Sequence, residues 1–486
     1  MKRFLLLLSF ALPVLAAEKR PNVVMILVDD LGRQDVGYHG STFYKTPAID
    51  ALAKQGLVFE NAYCAHPRCV PSRYAILSGR MPHREGVPGY EDKSTDKNTL
   101  ALERITFGEA LRDAGYSTGY IGKWHLGEAG IGGPDKQGFT DSRIAGEAGA
   151  PNSYFYPFHL TRKGEHKEGE KFPVVDGKDG EYLTDRLTDE AVDFLRKNQE
   201  NPFLLVLAHY AVHTPFQAPK EMVKDARRDL RKAGKDEGGT SDDPDFKDSD
   251  DATDKTEQNN PVYAAMVRSM DDSVGRVTAE LEKLGIADET IVILTSDHGG
   301  LSTRGESSQR PLATSNLPYR HGKGWLYDGG LRVPMIVRWP GVVKPGTTGV
   351  QTLGTDHYAT ILEACGLKAD PKEAIDSFSY LPVLNGSTSD RGPMFFHSPQ
   401  SRPSSTGDND ASALIDGKWK IYQHLDSGTV ELYDLAADPG ETKDLSAVEP
   451  EKTSVLKAEL EKIKKETHAR SGGRNPFKKR DPSKRK

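Results

Sequence analysis

Val23-Val24-Met25-Ile26-Leu27-Val28, followed at once by Asp29-Asp30-Leu31-Gly32, sets the architecture of this chain. The apolar run has the length of a strand, is rich in β-branched side chains and has no polar alternate position, which is the pattern of a strand buried on both faces. Residues 203–208, 291–294 and 333–337 repeat it, and residues 106–114 and 187–197 carry helical periodicity between them. Strands alternating with helices predict an α/β domain with a mostly parallel sheet. The run 291–294 also ends in polar residues, Thr295-Ser296-Asp297-His298-Gly299-Gly300. Both acidic clusters therefore fall at carboxyl ends of strands, the edge at which open α/β sheets bind ligands. Either cluster alone reads equally well as a helix cap or a turn former. Together they read as oxygen ligands for a hard divalent cation, with His298 as a nitrogen neighbour.

The start of the chain predicts export. Lys2 and Arg3 precede an apolar run over 4–15, and Ala16-Ala17 offers small residues for cleavage before the charged Glu18-Lys19-Arg20, so residues 1–17 read as a signal peptide. The destination is the periplasm or the extracellular space. The run falls short of the roughly 20 residues that span a bilayer, no later run is long enough, and no stable membrane insertion is expected. A net charge of -6 over 486 residues lacks the basic footprint of nucleic-acid binding, so no nucleic-acid partner is expected. Three cysteines, Cys64, Cys69 and Cys365, make no disulfide framework. Cys64 and Cys365 could pair, although buried inert thiols are the simpler state. Residues 18–345 carry the chemistry-bearing motifs and read as one catalytic domain. Within it, 222–257 reads as an acidic surface insertion, with seven aspartates between 241 and 254. Residues 346–470 form a C-terminal subdomain, and 471–486 a basic disordered tail.

Cys69-Val70-Pro71-Ser72-Arg73, continuing to Leu77-Ser78-Gly79-Arg80, places a thiol just before a proline able to open a helix. The free amides of that first turn would face the sulfur and suit an anion. A lone cysteine is usually a small buried apolar group, and from spacing alone that reading stands beside the anion-site one. Three further segments follow predicted strands or precede them: Gly122-Lys123-Trp124-His125-Leu126-Gly127, His213-Thr214-Pro215, and Gly322-Lys323-Gly324 ahead of Tyr327-Asp328-Gly329-Gly330-Leu331-Arg332-Val333-Pro334. Singly, each lysine or histidine reads as a solvated side chain. Tyr154, Phe155, Tyr156 and Phe158 fit a sugar-stacking platform and an internal packing cluster equally well. The loop 302–320 carries Arg304, Arg310 and Arg320, which suit additional anionic groups on a ligand.

Taken in order, these motifs resemble those of the type I, formylglycine-dependent sulfatases, arylsulfatase-like enzymes of the alkaline-phosphatase superfamily. The resemblance spans residues 21–345 and extends to about 445 through Tyr433-Asp434-Leu435 and Asp438-Pro439. It implies a large mostly parallel mixed sheet sandwiched by helices, with a smaller C-terminal α+β subdomain built on an antiparallel sheet. It implies that Cys69 is oxidised to formylglycine by a formylglycine-generating or sulfatase-maturating enzyme. One calcium ion, with magnesium as the alternative, would sit on Asp29, Asp30, Asp297 and His298 together with the modified Cys69. Arg73, Lys123 and Lys323 would offset charge on the sulfuryl oxygens, His213 or Lys323 would protonate the leaving oxygen, and His125 would act as the base that regenerates the aldehyde. Lys123, His213, Lys323, Arg304 and Arg320 are the expected substrate contacts. The function implied is that of an exported sulfuric ester hydrolase acting on a sulfated carbohydrate and releasing inorganic sulfate. A formylglycine-dependent phosphonate or phosphodiester hydrolase, and a noncatalytic glycan-binding homologue, are the alternatives.

Overall fold

The computed structural model describes residues 20–85, 100–127, 130–159, 172–173, 175–238, 246–248, 252–305 and 308–469; the expected signal peptide (1–17) and basic tail (471–486) lie outside them. Among the described residues eleven strands precede the C-terminal sheet: β1 (Asn22–Val28), β2 (Leu57–Tyr63), β3 (Ser117–Gly122), β4 (Asp141–Arg143), β5 (Phe203–Ala208), β6 (Phe246–Asp248), β7 (Ala252–Lys255), β8 (Thr290–Ser296), β9 (Thr303–Gly305), β10 (Met335–Arg338) and β11 (Gly346–Leu353). Eight of them form one sheet in the order β11-β2-β10-β8-β1-β5-β3-β4. All neighbours run parallel except β10, which is antiparallel to both β8 and β2.

The apolar run that opened the sequence reading is the centre of this sheet. β1 is buried at all seven positions and lies between β5 and β8. Because side chains alternate across a strand, Val23, Met25 and Leu27 enter one core, with the helices Cys69–Ser78 and Phe107–Asp113. Val24, Ile26 and Val28 enter the other, with the helices Leu183–Asn198 and Pro261–Lys283. Two cores and two helical layers thus need a strand apolar at every position. The parallel register pairs Val28 with Ser296 and Leu27 with Ala208, so the residues after all three strands leave the sheet at one edge.

Two expectations are corrected. Residues 222–257 are not simply a solvated insertion: the helix Lys220–Lys232 buries Val223 and Leu230, and β7 pairs with β9, burying Ala252 and Lys255. Asp254 accepts from Thr303 Oγ1 at 2.6 Å and faces His321 Nδ1 at 2.7 Å. The aspartate count had concealed a short, mostly buried strand. Likewise the large sheet continues past residue 345, because β11 pairs in parallel with β2 and covers its open edge.

A four-stranded antiparallel sheet follows, of β12 (Met394–Ser398), β13 (Ala411–Asp416), β14 (Trp419–His424) and β15 (Val430–Asp434). One face packs Leu414, Ile421 and Leu432 against Leu456 and Leu460 of the helix Pro450–Glu466. From the other, Ala413, Tyr422 and Tyr433 join the core of the large sheet. A buried ionic clip ties the two together. Lys420 Nζ lies 2.8 Å from Asp328 Oδ1 and 2.6 Å from Glu441 Oε1, and Asp328 Oδ2 accepts from Arg332 Nε at 2.6 Å. Burial pushes Glu441 up to about 7 against the pull of Lys420. Removing one member of a buried charge cluster leaves the others uncompensated. Lys420→Ala is therefore expected to lower unfolding stability by about 3–5 kcal/mol, seen as a lower urea midpoint; an unchanged midpoint would show that the clip contributes nothing. All three cysteines are buried free thiols, so Cys64 and Cys365 are not paired.

Candidate active site

The carboxyl edge of β1, β5 and β8 gathers ten of the sequence-predicted residues. The helix Cys69–Ser78 points its first residue into this edge and is buried along its whole length. It starts two residues earlier than the proline-first reading expects. The Ser72 amide makes the bond to the Arg68 carbonyl at 3.1 Å, and Pro71 is tolerated because amides of a first turn have no helical acceptor. Cys69 Sγ stands 3.2 Å from His298 Nε2, 3.6 Å from Asp29 Oδ1 and 3.7 Å from Lys323 Nζ. His125 is within hydrogen-bonding reach of the same sulfur, while its Nδ1 is buried without a partner among the described residues.

Three carboxylates and three cations interlock around the sulfur. Lys123 Nζ lies 2.6 Å from Asp29 Oδ2, Lys323 Nζ lies 2.6 Å from Asp30 Oδ1, and Arg73 Nε lies 2.9 Å from Asp297 Oδ2. His298 Nε2 is 3.3 Å from Asp30 Oδ1, and His213 Nε2 is 3.8 Å from Asp30 Oδ2. These contacts drive neighbouring groups apart in proton affinity. Burial raises Asp29 well above the usual carboxylate range, with Lys123 opposing. Burial also works against charge on Asp30, but Lys323, His213 and His298 outweigh it and hold that carboxyl low. Burial would raise the Cys69 thiol, yet Lys123, Lys323 and His298 bring it well below its ordinary value. Burial, with Lys323, depresses His213 to about 3.

Backbone geometry serves the same cluster. Asp30 and His125 adopt left-handed φ values of 61° and 63°, which cost energy in non-glycine residues and persist where surroundings enforce them. The Asp30 amide is held by Asp297 Oδ1 at 3.3 Å, and the His125 amide by the Gly146 carbonyl at 3.0 Å. Position 149 must be glycine, since a Cβ there would lie 2.4 Å from His125 Cε1.

The donor set fits a divalent cation. Ligand atoms of Asp29, Cys69, Asp297 and His298 lie within 4.8 Å of one another, and Asp30, Cys69 and His213 form an overlapping group. Asp30 Oδ2 is buried and accepts no hydrogen bond among the described residues. An unpartnered carboxylate oxygen inside an oxygen-rich cluster is what a hard cation requires.

Arg73 is anchored through Nε to Asp297 and, at 2.8 Å, through Nη1 to the Lys123 carbonyl, while its buried Nη2 makes no hydrogen bond among the described residues and lies 3.7 Å from Asp29 Oδ1. Two expected contacts are employed differently. Arg320 stacks over Tyr327 at 4.0 Å and donates to Tyr433 Oη and the Glu441 carbonyl, both at 3.1 Å, so it belongs to the contact with the C-terminal sheet. Arg304 is buried, with Nη1 3.5 Å from the Arg310 carbonyl. The sequence reading missed two supports. Ser72 Oγ donates to the Asp297 carbonyl at 2.5 Å, and Tyr154 Oη donates to the carbonyls of Tyr210 and His213 at 2.6 and 2.9 Å. Tyr154 stood in the aromatic cluster, and its full burial resolves that choice in favour of packing for this residue.

The family model described as Sulfatase matches residues 21–367, and the one described as N-sulphoglucosamine sulphohydrolase, C-terminal, matches residues 320–469. The chain is 33% identical to the N-acetylgalactosamine-6-sulfatase of Mus musculus, over 81% of this chain and 72% of that protein. It is 27% identical to the N-acetylgalactosamine-6-O-sulfatase of Bacteroides thetaiotaomicron, over 92% and 93%. Among solved structures, Ps i-CgsB in complex with k-i-k-neocarrahexaose aligns with a TM-score of 0.73 at 27% identity, covering 94% of each chain.

Proposed function

This chain belongs to the sulfatase family of the alkaline-phosphatase superfamily and is a sulfuric ester hydrolase, and on that footing we propose that it removes sulfate from a sulfated carbohydrate outside the cytoplasm. The observation that carries the reading is Cys69 Sγ, set at a helix start between His298 Nε2 at 3.2 Å and Lys323 Nζ at 3.7 Å. The names of the two relatives, and the saccharide bound in the solved structure, support a sugar. Export through residues 1–17 is part of the same proposal; among the described residues no helix is long and apolar enough to cross a membrane.

Oxidation of Cys69 to formylglycine by a maturating enzyme would supply a hydrated aldehyde as the oxygen nucleophile. A calcium ion on Asp29, Asp30, Asp297 and His298 would supply Lewis acidity to that hydroxyl. The chain's own residues account for the rest. Lys123 and Lys323 place two ammonium groups where negative charge develops on the sulfuryl oxygens, inside a site that excludes water. Arg73 fixes Asp297 and the Lys123 backbone, keeping both from drifting. His125, beside residue 69 and with Nδ1 unengaged, is positioned to take a proton from it. Lys323 delivers a proton to the departing alcohol, or His213 does once the negative charge of the bound sulfate ester counters the burial and the Lys323 ammonium that otherwise hold it at about 3.

Protonation matters most for a poor leaving group. His213→Ala is therefore expected to slow release of sulfate from N-acetylgalactosamine 6-sulfate by about 10²-fold or more, and from 4-nitrophenyl sulfate by less than about tenfold. Equal losses would assign proton delivery to Lys323. A wild-type enzyme that turns over the aryl sulfate but no member of a panel of sulfated sugars would overturn the carbohydrate reading.

A further inference from the structure

The loop 400–408 brings additional positive charge to the rim of the active site. Its base is locked to both flanks of the reaction centre. Arg68, which precedes Cys69, donates to the Gln400 carbonyl at 2.8 Å and pairs with buried Asp408. Gly324, which follows Lys323, donates to the Pro67 carbonyl at 2.8 Å, and a Cβ there would meet Asp408 Oδ1 at 2.6 Å. Trp325 Nε1 donates to the Thr406 carbonyl at 2.8 Å. The loop is thus a fixed part of the site.

Two arginines in this corner lack a carboxylate. Arg402 is exposed, its amide is tied to the Asp408 carbonyl at 3.2 Å, and its guanidinium makes no hydrogen bond or ion pair among the described residues. Arg310 has one side-chain contact among them, Nη1 to Ser405 Oγ at 3.4 Å. Arg68 and Arg402 both face one carboxylate, Asp408, and Arg68 takes it, while Arg310 adds a third positive charge beside Arg402. The crowding is felt: Arg68 first, and second the enclosure of the inner part of a side chain whose outer part is exposed, bring Arg402 down to about 10, with Asp408 and Cys69 acting in the opposite sense and Arg310 adding to the repulsion. Like charges held together at a rim, with planar forks unengaged, suit a tetrahedral or carboxylate anion.

We propose that Arg402 and Arg310 bind a second anionic group, sulfate or carboxylate, on the same saccharide whose ester reaches Cys69, and so select multiply charged sugars over singly sulfated ones. This rests on the carbohydrate reading above. It is tested by competition against 4-nitrocatechol sulfate turnover with three probes: N-acetylgalactosamine 6-sulfate, N-acetylgalactosamine 4,6-disulfate, and N-acetylgalactosamine 6-sulfate linked to glucuronate. At least one doubly charged probe should inhibit about tenfold or more tightly than the singly charged one, and which probe does so identifies the second group as sulfate or carboxylate. Arg402→Ala and Arg310→Ala together should remove most of that ratio, while Arg402→Lys, which keeps charge but not the fork, should retain part of it. Equal inhibition by all three probes in the wild type, or a ratio that survives the double substitution, overturns the proposal. Sulfate release from the probes is scored separately. No release from these probes or from the wider panel of sulfated sugars sinks the sugar-substrate reading, whereas the charge preference is read from inhibition alone.

Discussion

Cys69→Ala is expected to abolish sulfate-ester hydrolysis, a loss of about 10⁵-fold or more on the scale set by removing a catalytic nucleophile, while the protein stays folded. The side chain is small, and its sulfur meets polar groups of the site: His298, Asp29, Lys323 and His125. Its removal should cost no more than about 1 kcal/mol. Cys69→Ser should be nearly as inactive, because a hydroxyl is not the hydrated aldehyde. Sulfate release, a thermal melt and the mass of the peptide containing residue 69 check the three parts. An alanine variant with more than a trace of activity, or a wild-type peptide carrying an unmodified thiol in a fully active enzyme, would rule out formylglycine.

Asp297→Ala should fail in two ways at once. Arg73 is wholly buried, and its Nε depends on Asp297 Oδ2 at 2.9 Å. Without that carboxylate the guanidinium keeps only the 3.7 Å approach of Nη2 to Asp29 and the Lys123 carbonyl. An uncompensated buried charge costs about 3–5 kcal/mol. The same change removes one of the four proposed ligands Asp29, Cys69, Asp297 and His298, so bound divalent cation should fall and activity should drop by about 10³-fold or more. Elemental analysis and denaturant unfolding separate the two effects. Full activity with unchanged metal content would remove Asp297 from the metal site.

The central strands were legible because the physics leaves little choice. Residues 23–28 and 291–294 are apolar without alternation, and each ends in acids, so both their burial and the edge they feed could be read. Strand direction could not. An apolar run is the same forwards and backwards, and β10 lies antiparallel among parallel neighbours. The site residues were named by local motif, but their employment depends on partners far along the chain. Arg320 is claimed by Tyr433 and Glu441, 113 and 121 residues away, and no local pattern announces that. Arg402 was missed altogether: a lone arginine in a Ser/Pro-rich loop has no signature until the loop is seen packed against Arg68 and Trp325.

The burial of Cys69 also imposes an order in time. In the folded protein this residue is 6% exposed, enclosed by segments that leave the ribosome far apart. Asp29 precedes it by 40 residues, whereas His298 and Lys323 follow by 229 and 254. An enzyme that must grip the chain around residue 69 has no room once those later segments have docked. On the formylglycine mechanism proposed above, oxidation of Cys69 would therefore belong to the nascent or unfolded chain, and a molecule that folded before it was modified would be locked out of activity until it unfolded again.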